Sequence, residues 1–210
     1  MQKVVPAILT ADKKELMRQL EALKGHTKWM HIDIMDGRFV PNVSMSISEL
    51  GEAHQFFSLE IHLMVQDPEK YLEDCSAAGA KRVIFHLEGT KDPGHVFSLA
   101  KKYSFQIGIA LNPETKAEQL TSFTGNLDSI LLMSIVPGAQ GNEFIPSVTK
   151  KVQQIRARNP DIVIGMDGGI TKENIRQVFL AGVDYTSVGS SIWKTEDPIV
   201  ALSKFEEMVS

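Results

Sequence analysis

The chain has 210 residues, 43% of them hydrophobic and 23% charged, which is enough apolar side chain for one sizeable core and a single domain spanning 1–210. A formal charge of -4, with both signs scattered along the chain, excludes a basic stripe for nucleic acid and a polybasic segment for a membrane surface, so a small molecule is the expected partner. No apolar run approaches the roughly 20 residues of a membrane span, and the opening MQKVVPAILTAD lacks the apolar core of a secretory signal, so a cytoplasmic location is expected.

Short apolar runs alternate with longer segments of helical spacing from one end to the other. VVPAIL precedes DKKELMRQLEALK, where Leu16, Leu20 and Leu23 mark one helical face. WMHIDI is followed by SISELGEAHQFF, SLEIHLMV by DPEKYLEDCSAAG, and KRVIFHL by the segment 93–103. FQIGIAL, DSILLMSI, DIVIGMD and VDYTSVG lead into KAEQLTSF, FIPSVTKKVQQIRAR, TKENIRQVFLAG and DPIVALSKFEEMV. Asp12, Asp67 and Thr171 stand where helix N-caps belong, and Gly79 and Gly182 where helices end. Eight strand-then-helix units with nearly continuous apolar strands predict a parallel sheet closed as an α/β (β/α)8 TIM barrel. A doubly wound open sheet is the rival. It would gather its ligands at one switch point, whereas polar residues here end runs two, three, six, seven and eight.

Strand side chains alternate faces, so His31, Asp33 and Met35 share one face of the second strand, and Glu60, His62 and Met64 one face of the third. Polar residues facing a barrel interior are costly unless paired or bound to something. Asp167 ends strand seven, at the carboxyl edge where barrels place their chemistry. His31, Asp33, His62 and Asp167 are therefore predicted to share one divalent metal ion; two imidazoles and two carboxylates suit zinc, iron, manganese or cobalt about equally. Gly168 and Gly169 after strand seven, and Gly189, Ser190 and Ser191 after strand eight, are the expected phosphate loops. The loop after strand six supplies Gly138 and Gly141 for a flap.

Weaker signals have plainer readings. His86 and Glu88 in FHLEG are accounted for by hydrogen bonding to the back of the metal ligands. Asn112-Pro113 reads as a turn, and His26, His54 and His95 as solvated. Met35, Met64 and Met133 are expected to line the pocket with low-polarity surface. Cys75, the only cysteine, reads as a packed helical side chain and leaves no disulfide framework.

The strings HIDIMDGRFVPN, EIHLMV, LNPET, LLMSIVPG, MDGGI and VGSSIW, in this order over essentially the whole chain, resemble the ribulose-phosphate 3-epimerases. The resemblance implies a metal on His31, Asp33, His62 and Asp167, with Asp33 and Asp167 also serving as acid and base through an enediolate. It implies a sugar phosphate held around Gly168, Gly169, Gly189 and Ser190, with His62 and the loop Gly138, Ala139, Gln140 and Gly141 against the sugar, and it implies self-association. The chain departs from the family at Ala7, where PAIL replaces the usual PSIL, and in PGAQGN, which replaces PGFGGQ and is preceded by Val136. These departures leave the metal set intact and alter the mouth. They keep open a different phosphoketose such as allulose 6-phosphate, or a barrel with a binding role only. A related barrel decarboxylase would need a lysine between aspartates, and Asp33-Ile34-Met35-Asp36 has none.

Overall fold

The computed structural model describes residues 2–138 and 142–210. Its eight parallel strands are β1 (Val4–Ile8), β2 (Trp29–Met35), β3 (Ser58–Met64), β4 (Arg82–His86), β5 (Gln106–Leu111), β6 (Ser129–Met133), β7 (Val163–Asp167) and β8 (Tyr185–Val188). They pair in chain order, and β1 closes on β8, so the predicted barrel is the observed fold. The helices are α1 (Lys13–Leu23), α2 (Leu72–Ala77), α3 (Pro93–Ala100), α4 (Thr149–Arg158), α5 (Ile175–Leu180), α6 (Ser190–Trp193) and α7 (Pro198–Val209). Among the described residues, no helix is long and apolar enough to cross a membrane.

Alternation along each strand divides the apolar residues into two sets. Ile32, Ile34, Leu59, Ile61 and Leu63 face outward and join Leu16, Leu20 and Leu23 of α1 in the main core. Each such side chain, taken fully out of water, contributes about 1.5–3 kcal/mol before the entropy of ordering it. Val5, Ile84, Ala110, Leu131, Met133 and Tyr185 form a separate cluster inside the barrel. The rest of the interior, along β2, β3 and β4, is largely polar: His31, Asp33, Glu60, His62, Arg82 and His86 are all buried, and Met35 and Met64 close it at the strand ends.

Two expected helices are absent. After β2 the chain makes only two short 3-10 turns, Ile47–Leu50 and Ala53–Gln55. Gly51 stops the first of them with φ 52, a left-handed conformation that helical periodicity cannot report. After β5, likewise, Ala117–Leu120 is a 3-10 turn, and the Thr121 hydroxyl donates to the Glu118 carbonyl at 2.7 Å, competing with helical continuation.

The caps divide the same way. Asp12 accepts from the Lys14 and Glu15 amides as expected, and Gly79 and Gly182 follow α2 and α5 with positive φ. Asp67 adopts a left-handed φ of 55 and pairs with Lys70 at 2.7 Å instead of capping a helix. Thr171 does not cap α5. The Asn174 side chain closes that turn by accepting from the Thr171 amide at 2.9 Å and donating to the Gly169 carbonyl at 2.8 Å.

Candidate metal centre and substrate cleft

Strand register assembles the centre. Asp33 lies directly across from His62, and His31 across from Glu60, on β2 and β3. Asp167, at the end of β7, completes the group from the far side of the barrel. One donor atom from each of His31, Asp33, His62 and Asp167 lies within 4.8 Å of all the others, and all four residues are buried. His62 Nδ1 is 2.8 Å from Asp33 Oδ1 and 3.8 Å from Asp167 Oδ2, and His31 Nε2 is 3.2 Å from Asp33 Oδ1. Ligands about 2.0–2.2 Å from a tetrahedral ion stand roughly 3.3–3.6 Å apart. The set therefore fits a divalent cation with small side-chain adjustments.

The charges in this group are mutually dependent. Burial alone would lower the His31 imidazole, but carboxylates on both sides, Asp33 and Glu60, raise it well above its usual value. Burial opposes ionisation of Asp33 as well; His31 and His62 overcome it and hold this carboxyl below the usual range. Asp167 has no such partner at bonding distance, and burial plus the neighbouring Asp33 charge push it up to about 6. Two carboxyl groups in one site are thus driven apart in acidity.

Support comes from below. Glu60 accepts from His31 Nδ1 at 2.6 Å, from the Arg82 guanidinium at 2.8 Å and from the Tyr185 hydroxyl at 2.8 Å. Arg82 lies over the rings of Trp29 and Tyr185, 4.9 and 5.3 Å from their centroids. His86 is fully buried, and desolvation pushes its imidazole down to about 4, so the ring is neutral at neutral pH. The Ser187 hydroxyl also reaches His31 Nδ1, at 3.1 Å.

Above the donors is a cleft of about 500 Å³, counted to its open mouth. Ala7, Met35, Met64 and Met133 line it beside Asp33, Asp167 and Ser187. Gly138, Gly168, Gly169, Gly189 and Ser190 also line it. His62 does not reach the cleft and is fully buried behind Asp33. Ala139, Gln140 and Gly141 lie outside the described residues.

The glycine turn after β7 needs glycines for two reasons. Gly168 and Gly169 have φ of 105 and 64, and a Cβ on Gly168 would stand 2.4 Å from Ile135 Cγ1. Ser134 holds the turn from β6 by donating to the Asp167 and Gly168 carbonyls at 3.0 and 2.6 Å. The Gly168 and Gly169 N–H groups donate to no acceptor among the described residues, which leaves them free for an anion.

Sequence reasoning missed Ser187, Arg82 and Tyr185. Period-two counting from Tyr185 along β8 places Ser187 on the interior face. Arg82 opens its strand and looks like a surface residue until the ladder is closed. His26, His54 and His95 are exposed, as expected, and Cys75 is buried with its thiol pushed up by desolvation.

Fold and site together define a class: a closed (β/α)8 barrel with a buried histidine–aspartate set and two glycine-bearing turns at the carboxyl ends of its strands. The profile described as "Ribulose-phosphate 3 epimerase family" matches residues 3–193. The chain belongs to that family, a family of isomerases. It is 34% identical to ribulose-phosphate 3-epimerase of Mycobacterium bovis, over 95% of this chain and 90% of that one. It is 31% identical to ribulose-phosphate 3-epimerase of Candida glabrata, over 98% and 92%. Among solved structures, 3-hexulose-6-phosphate synthase from Salmonella typhimurium shares the fold, with a TM-score of 0.77, 16% identity and coverage of 99% and 98%.

Proposed function

We propose that the chain interconverts D-ribulose 5-phosphate and D-xylulose 5-phosphate by moving the proton on C3 from one face of the sugar to the other. The observation that carries this reading is the convergence of the Asp33 and Asp167 carboxylates on one cleft, from β2 and β7. Epimerisation beside a ketone requires a base on one face of the carbon and an acid on the other, and two carboxylates are sufficient for both directions. His31, Asp33, His62 and Asp167 would hold the ion, which when bound supplies positive charge to the oxygen that becomes negative as C3 is deprotonated. Gly168, Gly169, Gly189 and Ser190 bind the phosphate, fixing the far end of the substrate so that C3 stays between the aspartates. Met35, Met64 and Met133 keep water away from the reacting carbon.

The test is a coupled assay on ribulose 5-phosphate with the chain loaded in turn with zinc, iron, manganese and cobalt. Turnover with at least one metal, lost on chelation, supports the reading; no turnover with any of them sinks it. Ala7 in the cleft wall and Val136, 60% exposed between the lining residues Ile135 and Pro137, favour a second reading in which another phosphoketose, such as allulose 6-phosphate, is the better substrate. Comparing kcat/KM across ketose phosphates separates the two.

Metal binding will depend on pH in a defined direction. Asp167, pushed up to about 6, must lose its proton to bind the ion, so protons compete as pH falls through that value. From this group alone, affinity at about pH 5 is expected to be about tenfold lower than at about pH 7.5. Calorimetric titration of the metal-free chain checks it, and equal affinity at both values contradicts the role of Asp167.

A further inference from the structure

The sequence places Ser191 beside Ser190 in the phosphate loop after β8, but the structure gives the two serines different surroundings. Ser190 lines the cleft, whereas Ser191 does not. The Ser191 hydroxyl instead donates to the Ile170 carbonyl, in the turn after β7, at 2.7 Å. At the other end of α6 the Trp193 indole donates to the Ala7 carbonyl of β1 at 2.6 Å. This four-residue helix is therefore tied to the barrel on both flanks, once to β1 and once to the β7 turn.

Side chains hold every carbonyl of the β7 turn from Asp167 to Ile170. Ser134 donates to those of Asp167 and Gly168, Asn174 to that of Gly169, and Ser191 to that of Ile170. A trans peptide carries its N–H opposite its C=O, so fixing these carbonyls fixes the direction of the amides that follow them. Ser134 comes from the end of β6 and Asn174 from the turn's own continuation into α5, so neither relates this turn to the next one. Ser191 does. The ladder between β7 and β8 ends at Asp167 with Ser187. Beyond it, the bond from Ser191 to Ile170 is the one hydrogen bond among the described residues that joins the two glycine turns.

A phosphate shared by two turns tolerates little change in their separation. Donors on both sides must stand about 2.7–3.2 Å from its oxygens at once, and the bonds weaken outside that range. We propose that Ser191 is a positioning residue that fixes the spacing between the turns after β7 and β8, and so sets the affinity for the substrate phosphate without touching it. The inference rests on the reading of these turns as the phosphate site. Trp193 fixes one end of α6, which leaves Ser191 to set how far Gly189 stands from Gly169. The net contribution of one such hydrogen bond corresponds to about 3- to 10-fold in an equilibrium constant.

Ser191→Thr and Ser191→Val test it, because the two replacements match in shape and differ by one hydroxyl. Inorganic phosphate is titrated into the nitrogen-labelled full chain while the amide signals of Gly168, Gly169 and Gly189 are followed by NMR. The signals are expected to move over the same phosphate range in the parent and in Ser191→Thr, and to need about 3- to 10-fold more phosphate in Ser191→Val. Ser191→Ala, which removes the hydroxyl without adding bulk, should match Ser191→Val. KM for the ketose phosphate should rise in parallel with kcat nearly kept, as when binding common to ground and transition states is lost. Zinc affinity should stay at the parent value, whereas a general loosening of the barrel would lower it too. Equal phosphate affinity in Ser191→Thr and the two variants without the hydroxyl, or zinc affinity falling together with phosphate affinity, would overturn the proposal. If phosphate leaves the three glycine signals of the parent unmoved, the phosphate-site reading itself fails, and this inference with it.

Discussion

Asp33→Asn and Asp167→Asn are each expected to lower epimerisation on the order of 10³-fold, and to do so with opposite stereochemical signatures. A positioned acid or base contributes typically 10² to 10⁴ in rate, and epimerisation needs both groups in either direction. Exchange of the C3 hydrogen with solvent needs only one, the base that faces that hydrogen. Removing Asp33 should therefore stop wash-out from one epimer and leave it, reduced by any loss of metal, from the other; removing Asp167 should reverse the pattern. Measuring wash-out separately from ribulose 5-phosphate and xylulose 5-phosphate, at saturating metal with occupancy determined in parallel, assigns each aspartate to a face. Wash-out near the parent rate from both epimers, in both variants, would remove the two-carboxylate mechanism.

Arg82→Met is expected to be the most damaging substitution for stability, lowering the melting temperature by roughly 10 °C. Arg82 is 4% exposed and its partner Glu60 is 1% exposed, so this ion pair is screened very little by solvent. Removing one member of such a pair strands the other and costs about 3–5 kcal/mol. Glu60 keeps its bonds from His31 and Tyr185, which places the cost near the lower limit. For a chain of this size each kcal/mol moves the midpoint by about 2–4 °C. Arg82→Lys, which keeps the charge but loses the planar contact with Trp29 and Tyr185, should fall between parent and methionine variant. A scanning-calorimetry midpoint for Arg82→Met within about 2 °C of the parent would show that the barrel floor does not depend on this pair.

The parts of the molecule that were legible in the sequence are those governed by local periodicity. Alternation along WMHIDIM and SLEIHLM places His31, Asp33 and His62 inside the barrel, and the end of DIVIGMD places Asp167 at its rim. What was not legible depends on partners distant in sequence or on special backbone angles. Glu60 reads as one more inward polar residue until register brings His31 against it and Tyr185, 125 positions away, donates to it. His86 and Glu88 were legible as residues backing the metal ligands, but that His86 meets His62 was not, because the contact crosses from β4 to β3 between residues not directly opposed in the ladder. The helices expected after β2 and β5 were lost to Gly51 and to the Thr121 hydroxyl bond, and Asn174 took the cap expected of Thr171.

All four residues of the candidate metal centre stand on β2, β3 and β7, elements held on both sides by neighbouring strands. The segment after β6 is anchored differently: Asn142 donates to the Val136 carbonyl at 2.9 Å, and Asn42 to the carbonyl of Gly138. On the proposed function, the groups that move the proton and the segment that meets the sugar would thus rest on separate supports. Substitutions at Val136 or Asn142 are then expected to change which ketose phosphate is preferred while leaving the strand ladder, and the metal affinity it sets, as they are; comparing kcat/KM across ketose phosphates with metal affinity in the same variants checks it.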